Sequence, residues 1–311
     1  MKKILVTNTS FAKNNSKPIE NLERNGFIVV ENTYGRSLSH DEIVSQIHDI
    51  FGIIVGVEKI DREIIDRAKY LKIISKFGVG VDNIDVEYAE QKGIKVTRTI
   101  GANADAVADT ALGLMLSVAK RIPYIDNACR NGLWLEPETF EINHKTLGLI
   151  GLGDIGKRVA KRASGFDMRL IAFDLVKDTE FAANNHIEYM DLPDLIKLSD
   201  FISIHVPINS QTRNLISQRE ISLMKETAAI INTARGGVIN EEALINALKT
   251  KRIFGAGLDV FENEPIDANH WKDLENVVLS SHCAADTYEA INRMSYMAAK
   301  NIIDFLRNHN G

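Results

Sequence analysis

The sequence predicts an α/β protein built as two doubly wound parallel-sheet domains. Three observations predict it. Apolar strand-like runs alternate with helix-like segments from Ile4 to Ser75, a second alternating series starts at Lys145, and a long helix-like stretch of small apolar residues separates the two. A chain of 311 residues is long for one domain and comfortable for two.

In the first series, Ile4–Thr7, Phe27–Val30, Phe51–Val55 and Lys72–Ser75 read as strands. Lys17–Arg24, Asp41–His48 and Asp61–Lys69 between them have helical spacing. Asn103–Arg121 then reads as one helix rich in Ala104, Ala106, Val107, Ala108, Ala111, Leu112 and Leu114, followed by an irregular stretch with Trp134 and Pro137. The second series places strands at Thr146–Ile150, Arg169–Phe173, Phe201–His205, Ala228–Asn232, Ile253–Leu258 and Val277–Leu279. Helices start near Gly153, Asp191, Ser217 and Asn240. Nearly all-apolar short strands are expected where helices cover both faces of a sheet. A final helix, Ala285–Arg307, has no strand after it and would return to the first domain. The expected division is therefore 1–98 plus 285–311, and 99–284.

Bulk composition narrows the partners. Charged residues make up 25% and apolar residues 45%, with a net charge of −5, so a globular chain is expected, with no nucleic-acid or membrane partner. Two cysteines, Cys129 and Cys283, form neither a disulfide framework nor a zinc spacing, and no metal is expected. The apolar run after MKK stops at Thr7-Asn8, too short for a signal peptide, and the longest apolar run, Ala111–Ala119, contains Gly113 and Ser117. The expected location is cytoplasmic.

The strongest local signal is "TLGLIGLGDIGKRVAKRA", 146–163. Gly151, Gly153 and Gly156 stand in G-x-G-x-x-G spacing between a strand and a helix, the context that gives the triplet meaning. The first glycine permits the tight turn, the second lets backbone approach a pyrophosphate, and the third lets helix pack on strand. The helix N-terminus offers free N–H groups to phosphate. Asp174 closes the next strand 18 residues after Gly156. A carboxylate there hydrogen-bonds a ribose 2′-hydroxyl and repels a 2′-phosphate, so the expected cofactor is NAD.

Further strand ends offer chemistry. Arg235 follows a strand and precedes Gly236-Gly237, and its fork suits a substrate carboxylate, although most arginines are solvated surface residues. "GAGLDVFENEP" offers three carboxylates, Asp259, Glu262 and Glu264, and "SSHCAAD" offers His282. One carboxylate paired with this imidazole would stabilise the imidazolium and let it carry a proton near neutrality. Each residue alone is better explained as structural; their succession at strand ends beside a nucleotide fingerprint favours a site.

The chain resembles the D-2-hydroxyacid dehydrogenases, in particular the phosphoglycerate-dehydrogenase-like branch. The resemblance rests on "KFGVGVDNID" (76–85), "GANADAVADTALGLML" (101–116), "GLIGLGDIGKRVA" (148–160), "INTARGGVINEEAL" (231–244), "GAGLDVFENEP" (255–265) and His282. It implies a flavodoxin-like substrate domain and a Rossmann NAD domain with a cleft between them, and hinges near Arg98–Gly101 and His282–Asp286. It implies Arg235, Glu264 and His282 as the catalytic trio. Substrate carboxylate would meet the amides of Val79 and Gly80, with Arg235 and His282. Asp154 and Ile155 would lie on the pyrophosphate with the glycines, Asp174 on the ribose, and Val206 and Pro207 on the adenine side. Thr233, Ala234 and Asp259 would approach the nicotinamide half, and Arg235, His282 and Ala285 complete the residues expected against the cofactor. A homodimer is implied, with 100–140 contributing; the small-residue helix would suit close packing on a partner.

Four departures stand out. Ser281 and Cys283 flank His282 where relatives often have a preceding proline, and Ala284-Ala285 replace a glycine-rich segment. Cys283 would be a reactive thiol if a helix N-terminus lowered its pKa, but the favoured reading is a small buried residue. An arginine common in phosphoglycerate dehydrogenases is missing from "IIVGVEKI" (53–60), leaving Lys59 or Lys76 as substitutes. The additional C-terminal regulatory domain of some relatives would be lacking. The alternatives to a phosphoglycerate-dehydrogenase-like activity are a hydroxypyruvate/glyoxylate-type 2-keto acid reductase and a non-enzymatic NADH-sensing binding protein of the same superfamily. A formate dehydrogenase would pair its histidine with glutamine, which Glu264 argues against.

Overall fold

The computed structural model describes residues 2–309. The chain divides into two units, Met1–Asn103 with Ala285–Gly311, and Ala104–Ala284.

In the first unit, strands β1 (Lys2–Val6), β2 (Phe27–Glu31), β3 (Ile50–Val55), β4 (Ile73–Lys76) and β5 (Lys95–Arg98) alternate with helices α1 (Lys17–Arg24), α2 (His40–Gln46), α3 (Arg62–Arg67) and α4 (Val86–Gln91). The sheet is parallel throughout, in the order β2-β1-β3-β4-β5. Ile4, Leu5, Ile53, Ile54, Ile73 and Ile74 are fully buried, which is why these strands carry apolar residues at consecutive positions. The helix starts follow local chemistry. Ser39 and Glu42 form a capping box on α2, and the Asp61 and Asp85 carboxylates accept from Ile64 N and Tyr88 N to cap α3 and α4. The C-terminal helix, Tyr288–His309, packs in this unit; Ser75 Oγ on β4 donates to its Ala298 carbonyl at 3.1 Å.

The second unit opens with α5 (Ala104–Ala119) and α6 (Ile122–Arg130). Strands β6 (Thr146–Ile150), β7 (Arg169–Phe173), β8 (Glu188–Tyr189), β9 (Phe201–Ile204), β10 (Ala229–Asn232), β11 (Gly255–Leu258) and β12 (Val277–Leu279) follow, with α7 (Asp154–Ala163), α8 (Thr179–Asn184), α9 (Leu192–Leu198), α10 (Gln218–Leu223) and α11 (Glu241–Lys249) between them. Every strand pair is parallel, in the order β12-β11-β10-β9-β6-β7-β8. The order reverses between β6 and β9, so their carboxyl ends flank the crevice where such sheets bind ligands.

Two readings of the sequence change here. The small residues of α5 do not wait for a partner. Ala104, Ala108, Ala111, Met115, Val118 and Ala119 are buried inside their own unit, against a sheet whose glycines leave no room: a side chain at Gly257 would meet Leu114 Cβ at 2.9 Å, and one at Gly255 would meet Val118 Cγ1 at 2.8 Å. Edge strands β5 and β8 and helices α4, α6 and α8 also join the pattern. β5 reads Lys-Val-Thr-Arg and β8 is a two-residue pairing, too short and too polar for apolar periodicity to mark. Among the described residues no helix is long and apolar enough to cross a membrane.

Candidate active site

The crevice is built from β6 outward. Gly151 ends the strand at φ 95°, a conformation open to glycine, with the His205 carbonyl oxygen 2.8 Å from where its Cβ would be. A side chain at Gly156 would run into the Gly151 carbonyl, whereas one at Gly153 would meet nothing within 4 Å. The first and third glycines therefore serve packing, and the second faces the open space a pyrophosphate needs. Gly153 is also the N-cap of α7, whose Asp154 and Ile155 form its first turn. The Asp174 carboxylate accepts from Leu152 N at 2.7 Å and from Val176 N at 3.0 Å, so it is oriented by the glycine turn itself. Val206 Cγ1 would lie 3.0 Å from a Cβ on Gly151, and the exposed Pro207 accepts a hydrogen bond from Thr212 Oγ1 at 2.6 Å.

Among the described residues, two at neighbouring strand ends carry buried polar atoms without partners, His205 Nδ1 after β9 and Thr233 Oγ1 after β10. His205 Nε2 pairs with Ser203 Oγ at 2.8 Å, and burial pushes the imidazole down to about 3, so it is neutral at working pH. Orphaned polar atoms along this edge and the cradle at Gly153 together fit a dinucleotide. His205 escaped the sequence reading; its position at the reversal of strand order is a property of topology.

Arg235 sits on the turn after β10. Asn232 holds that turn from both sides, accepting from Ala234 N at 3.0 Å and donating to the Arg235 carbonyl at 2.9 Å. A side chain on Gly236 would collide with the Phe261 carbonyl, so glycine is what lets this turn abut the loop after β11. That loop carries Glu264. Its Oε1 accepts from Phe261 N at 2.9 Å and its Oε2 meets His282 Nδ1 at 2.7 Å. Burial pushes the Glu264 carboxyl up, but the hydrogen bonds from His282 and Phe261 and the positive charges of His282 and Arg235 outweigh it, leaving the group below its ordinary value. An ionised Glu264 can only accept, so Nδ1 carries the proton and Nε2 is left to face a reactant.

The three carboxylates of this segment divide their work. Glu264 takes the imidazole. Glu262 and Glu241 exchange backbone-to-carboxylate hydrogen bonds at the start of α11. Asp259, buried, accepts from Ser280 Oγ at 2.6 Å, Cys283 N at 3.0 Å and Ala284 N at 3.1 Å, gripping the chain on both sides of His282. His282 itself is held at φ 54°, a left-handed conformation that costs about 1–3 kcal/mol outside glycine. Cys283, expected to be buried, is exposed, because Asp259 draws in its backbone N–H and turns its side chain outward. In the first unit, Val79 and Gly80 lie half-buried on the turn after β4. Among the described residues no group of His, Cys, Asp or Glu could hold a metal ion.

A glycine-turn crevice that fits a dinucleotide, in a unit that also carries a histidine–carboxylate pair and an arginine, is the kind of arrangement found in dinucleotide-dependent oxidoreductases. Residues 112–284 match the family model described as D-isomer specific 2-hydroxyacid dehydrogenase, NAD binding domain. The chain is 40% identical over 303 residues to a glyoxylate reductase of Thermococcus litoralis, covering 92% of each. It is 40% identical over 311 residues to a D-3-phosphoglycerate dehydrogenase of Methanocaldococcus jannaschii, covering 99% of this chain and 58% of that one. The D-lactate dehydrogenase of Aquifex aeolicus, solved with NAD and lactic acid, superposes with a TM-score of 0.86 at 28% identity over 99% of this chain and 96% of that one. The chain belongs to the D-isomer-specific 2-hydroxyacid dehydrogenase family, and it is an oxidoreductase acting on the CH–OH group of 2-hydroxy acids.

Proposed function

We propose that the chain is an NAD-dependent reductase of small, unphosphorylated 2-keto acids, of the glyoxylate and hydroxypyruvate type, acting reversibly on the corresponding D-2-hydroxy acids. The observation that carries the chemistry is the 2.7 Å hydrogen bond between Glu264 Oε2 and His282 Nδ1. The nicotinamide, when bound, supplies the hydride for keto-acid reduction and takes it in the reverse direction. His282 Nε2 gives a proton to the oxygen at C2 as reduction proceeds, and removes it from the hydroxyl in oxidation. Glu264 keeps the imidazole oriented through Nδ1. Arg235 holds the substrate carboxylate, with the amides of Val79 and Gly80, and polarises the carbonyl. The glycine turn with Asp154 and Ile155 takes the pyrophosphate, Asp174 the ribose, Val206 and Pro207 the adenine side, and Thr233, Ala234, Asp259 and Ala285 the nicotinamide half.

Two features support an unphosphorylated substrate. The segment 53–60 has no arginine, and the side chains near it are committed or ill-suited. Lys76 is buried and donates to the Gly56 carbonyl and to Asn83 Oδ1 at 2.8 Å, Lys59 projects into solvent, and Glu58 places a buried carboxylate beside them. Similarity to a glyoxylate reductase over nearly the whole length points the same way. A phosphorylated substrate is the second reading, favoured by the D-3-phosphoglycerate dehydrogenase relative. The homodimer rests on a surface other than the small-residue helix: Leu133, Trp134 and Leu135 are all exposed in sequence, with Trp134 at 85%.

The test is a panel of glyoxylate, hydroxypyruvate, pyruvate, 2-ketoglutarate and 3-phosphohydroxypyruvate, followed by loss of NADH absorbance. Fastest turnover of glyoxylate or hydroxypyruvate is expected. Preference for 3-phosphohydroxypyruvate would establish the second reading, and no turnover of any keto acid would favour a non-enzymatic NADH sensor.

A further inference from the structure

The turn between Lys76 and Asn83 in the first unit is tied at its base and at its apex. At the base, Lys76 Nζ donates to Asn83 Oδ1 at 2.8 Å, and both side chains converge on one acceptor, the Gly56 carbonyl, which takes Lys76 Nζ and Asn83 Nδ2, the latter at 3.0 Å. Asn83 Nδ2 also donates to the Glu58 carbonyl at 2.6 Å. Towards the apex, Thr99 clasps Gly78 on both sides: Gly78 N donates to Thr99 Oγ1 at 2.9 Å, and Thr99 N donates to the Gly78 carbonyl at 3.0 Å. Gly78 has φ 137°, where other residues are strained. Lys76 and Thr99 are both buried. A buried lysine that donates to the Gly56 carbonyl and to Asn83 Oδ1 closes the base of the turn, which asks what the turn presents.

It presents two consecutive amides. Among the described residues the Val79 and Gly80 N–H groups donate to no acceptor, although the backbone around them is bonded and the residues are half-buried. Unpaired neighbouring amides on a rigid turn bind an anion without first having to be ordered.

We propose that Lys76 and Thr99 are positioning residues that hold the Val79 and Gly80 amides preformed for the carboxylate of the substrate. This rests on the keto-acid reading given above. The bracket acts on substrate binding, not on proton transfer, so its loss should appear in KM for the keto acid and not in KM for NADH.

The experiment compares Lys76→Met, Thr99→Val and Lys76→Arg with wild type, using the keto acid that wild type reduces fastest, with oxalate binding by calorimetry as a readout independent of turnover. Lys76→Met and Thr99→Val should each raise the keto-acid KM and weaken oxalate roughly tenfold, the scale of one or two lost hydrogen bonds, with kcat within about threefold. KM for NADH should stay put. Lys76→Arg, which keeps a charged donor at this position, should restore KM to within about threefold of wild type. Thr99→Val is nearly isosteric and decides the matter if Lys76→Met does not fold. An unchanged keto-acid KM in Thr99→Val, or a fall in kcat with KM unmoved, overturns the proposal. If wild type reduces no keto acid while oxalate binding weakens in the variants, the bracket stands and the keto-acid reading falls; if oxalate binds all variants equally, the bracket falls.

Discussion

His282 is attached to Glu264 by one ring nitrogen and leaves the other to a reactant: Nδ1 lies 2.7 Å from Glu264 Oε2. Removing the ring would remove the proposed proton carrier and leave the glycine turn after β6 untouched. His282→Ala should lower turnover about a hundredfold or more with NADH affinity intact, measured by steady-state kinetics and by fluorescence titration. Unchanged turnover would end the assignment.

Glu264 lies below its ordinary 4.5 in the folded chain, so folding favours its ionised form. The stability it contributes is present above the unfolded value and fades as pH falls through the folded one. Urea unfolding of wild type and Glu264→Gln should therefore show their largest gap at about pH 7 and a shrinking gap below about pH 4. A gap that grows in acid contradicts the lowered carboxyl.

Asp174 is aimed by Leu152 N and Val176 N at the end of β7, the place of a ribose-binding carboxylate. Asp174→Ala should raise KM for NAD about tenfold, as expected for a charged hydrogen bond, and improve the relative use of NADP. Equal cofactor preference before and after substitution would show that the selectivity lies elsewhere.

Asp259 clamps the backbone on either side of His282. An asparagine keeps one acceptor and turns an NH2 toward a backbone N–H, so Asp259→Asn should cost about 1–3 kcal/mol of stability and release the left-handed turn. Calorimetric melting together with kcat tests this: both should fall. A variant as stable and as fast as wild type would mean the clamp is dispensable.

Trp134, with Leu133 and Leu135, forms an apolar surface in the second unit. Light scattering should find a dimer in wild type and a monomer in Trp134→Asp. A monomeric wild type, or a variant that remains dimeric, removes this surface from consideration.

The glycine turn after β6 could be read directly along the chain because its requirements are local. Gly151, Gly153, Gly156 and Asp174 belong to one strand–helix–strand unit, where spacing and geometry are nearly the same thing. The apolar strands were equally plain, since burial on both faces demands consecutive apolar residues. Edge strands β5 and β8 were not, because one flank of each is solvated and their residues are correspondingly polar.

What chain order left open was the choice among equals. Asp259, Glu262 and Glu264 are three similar carboxylates within six positions, and residue type alone cannot say which meets His282. Packing decides it: a buried Asp259 is satisfied by three donors of the histidine turn, Glu262 by the start of α11, and Glu264 is the one left facing the imidazole. The same holds for α5, whose small residues answer to the glycines of β11 and not to a partner chain. Spacing encodes contacts between near neighbours; contacts between distant segments depend on where strands cross over, and only the folded sheet order supplies that.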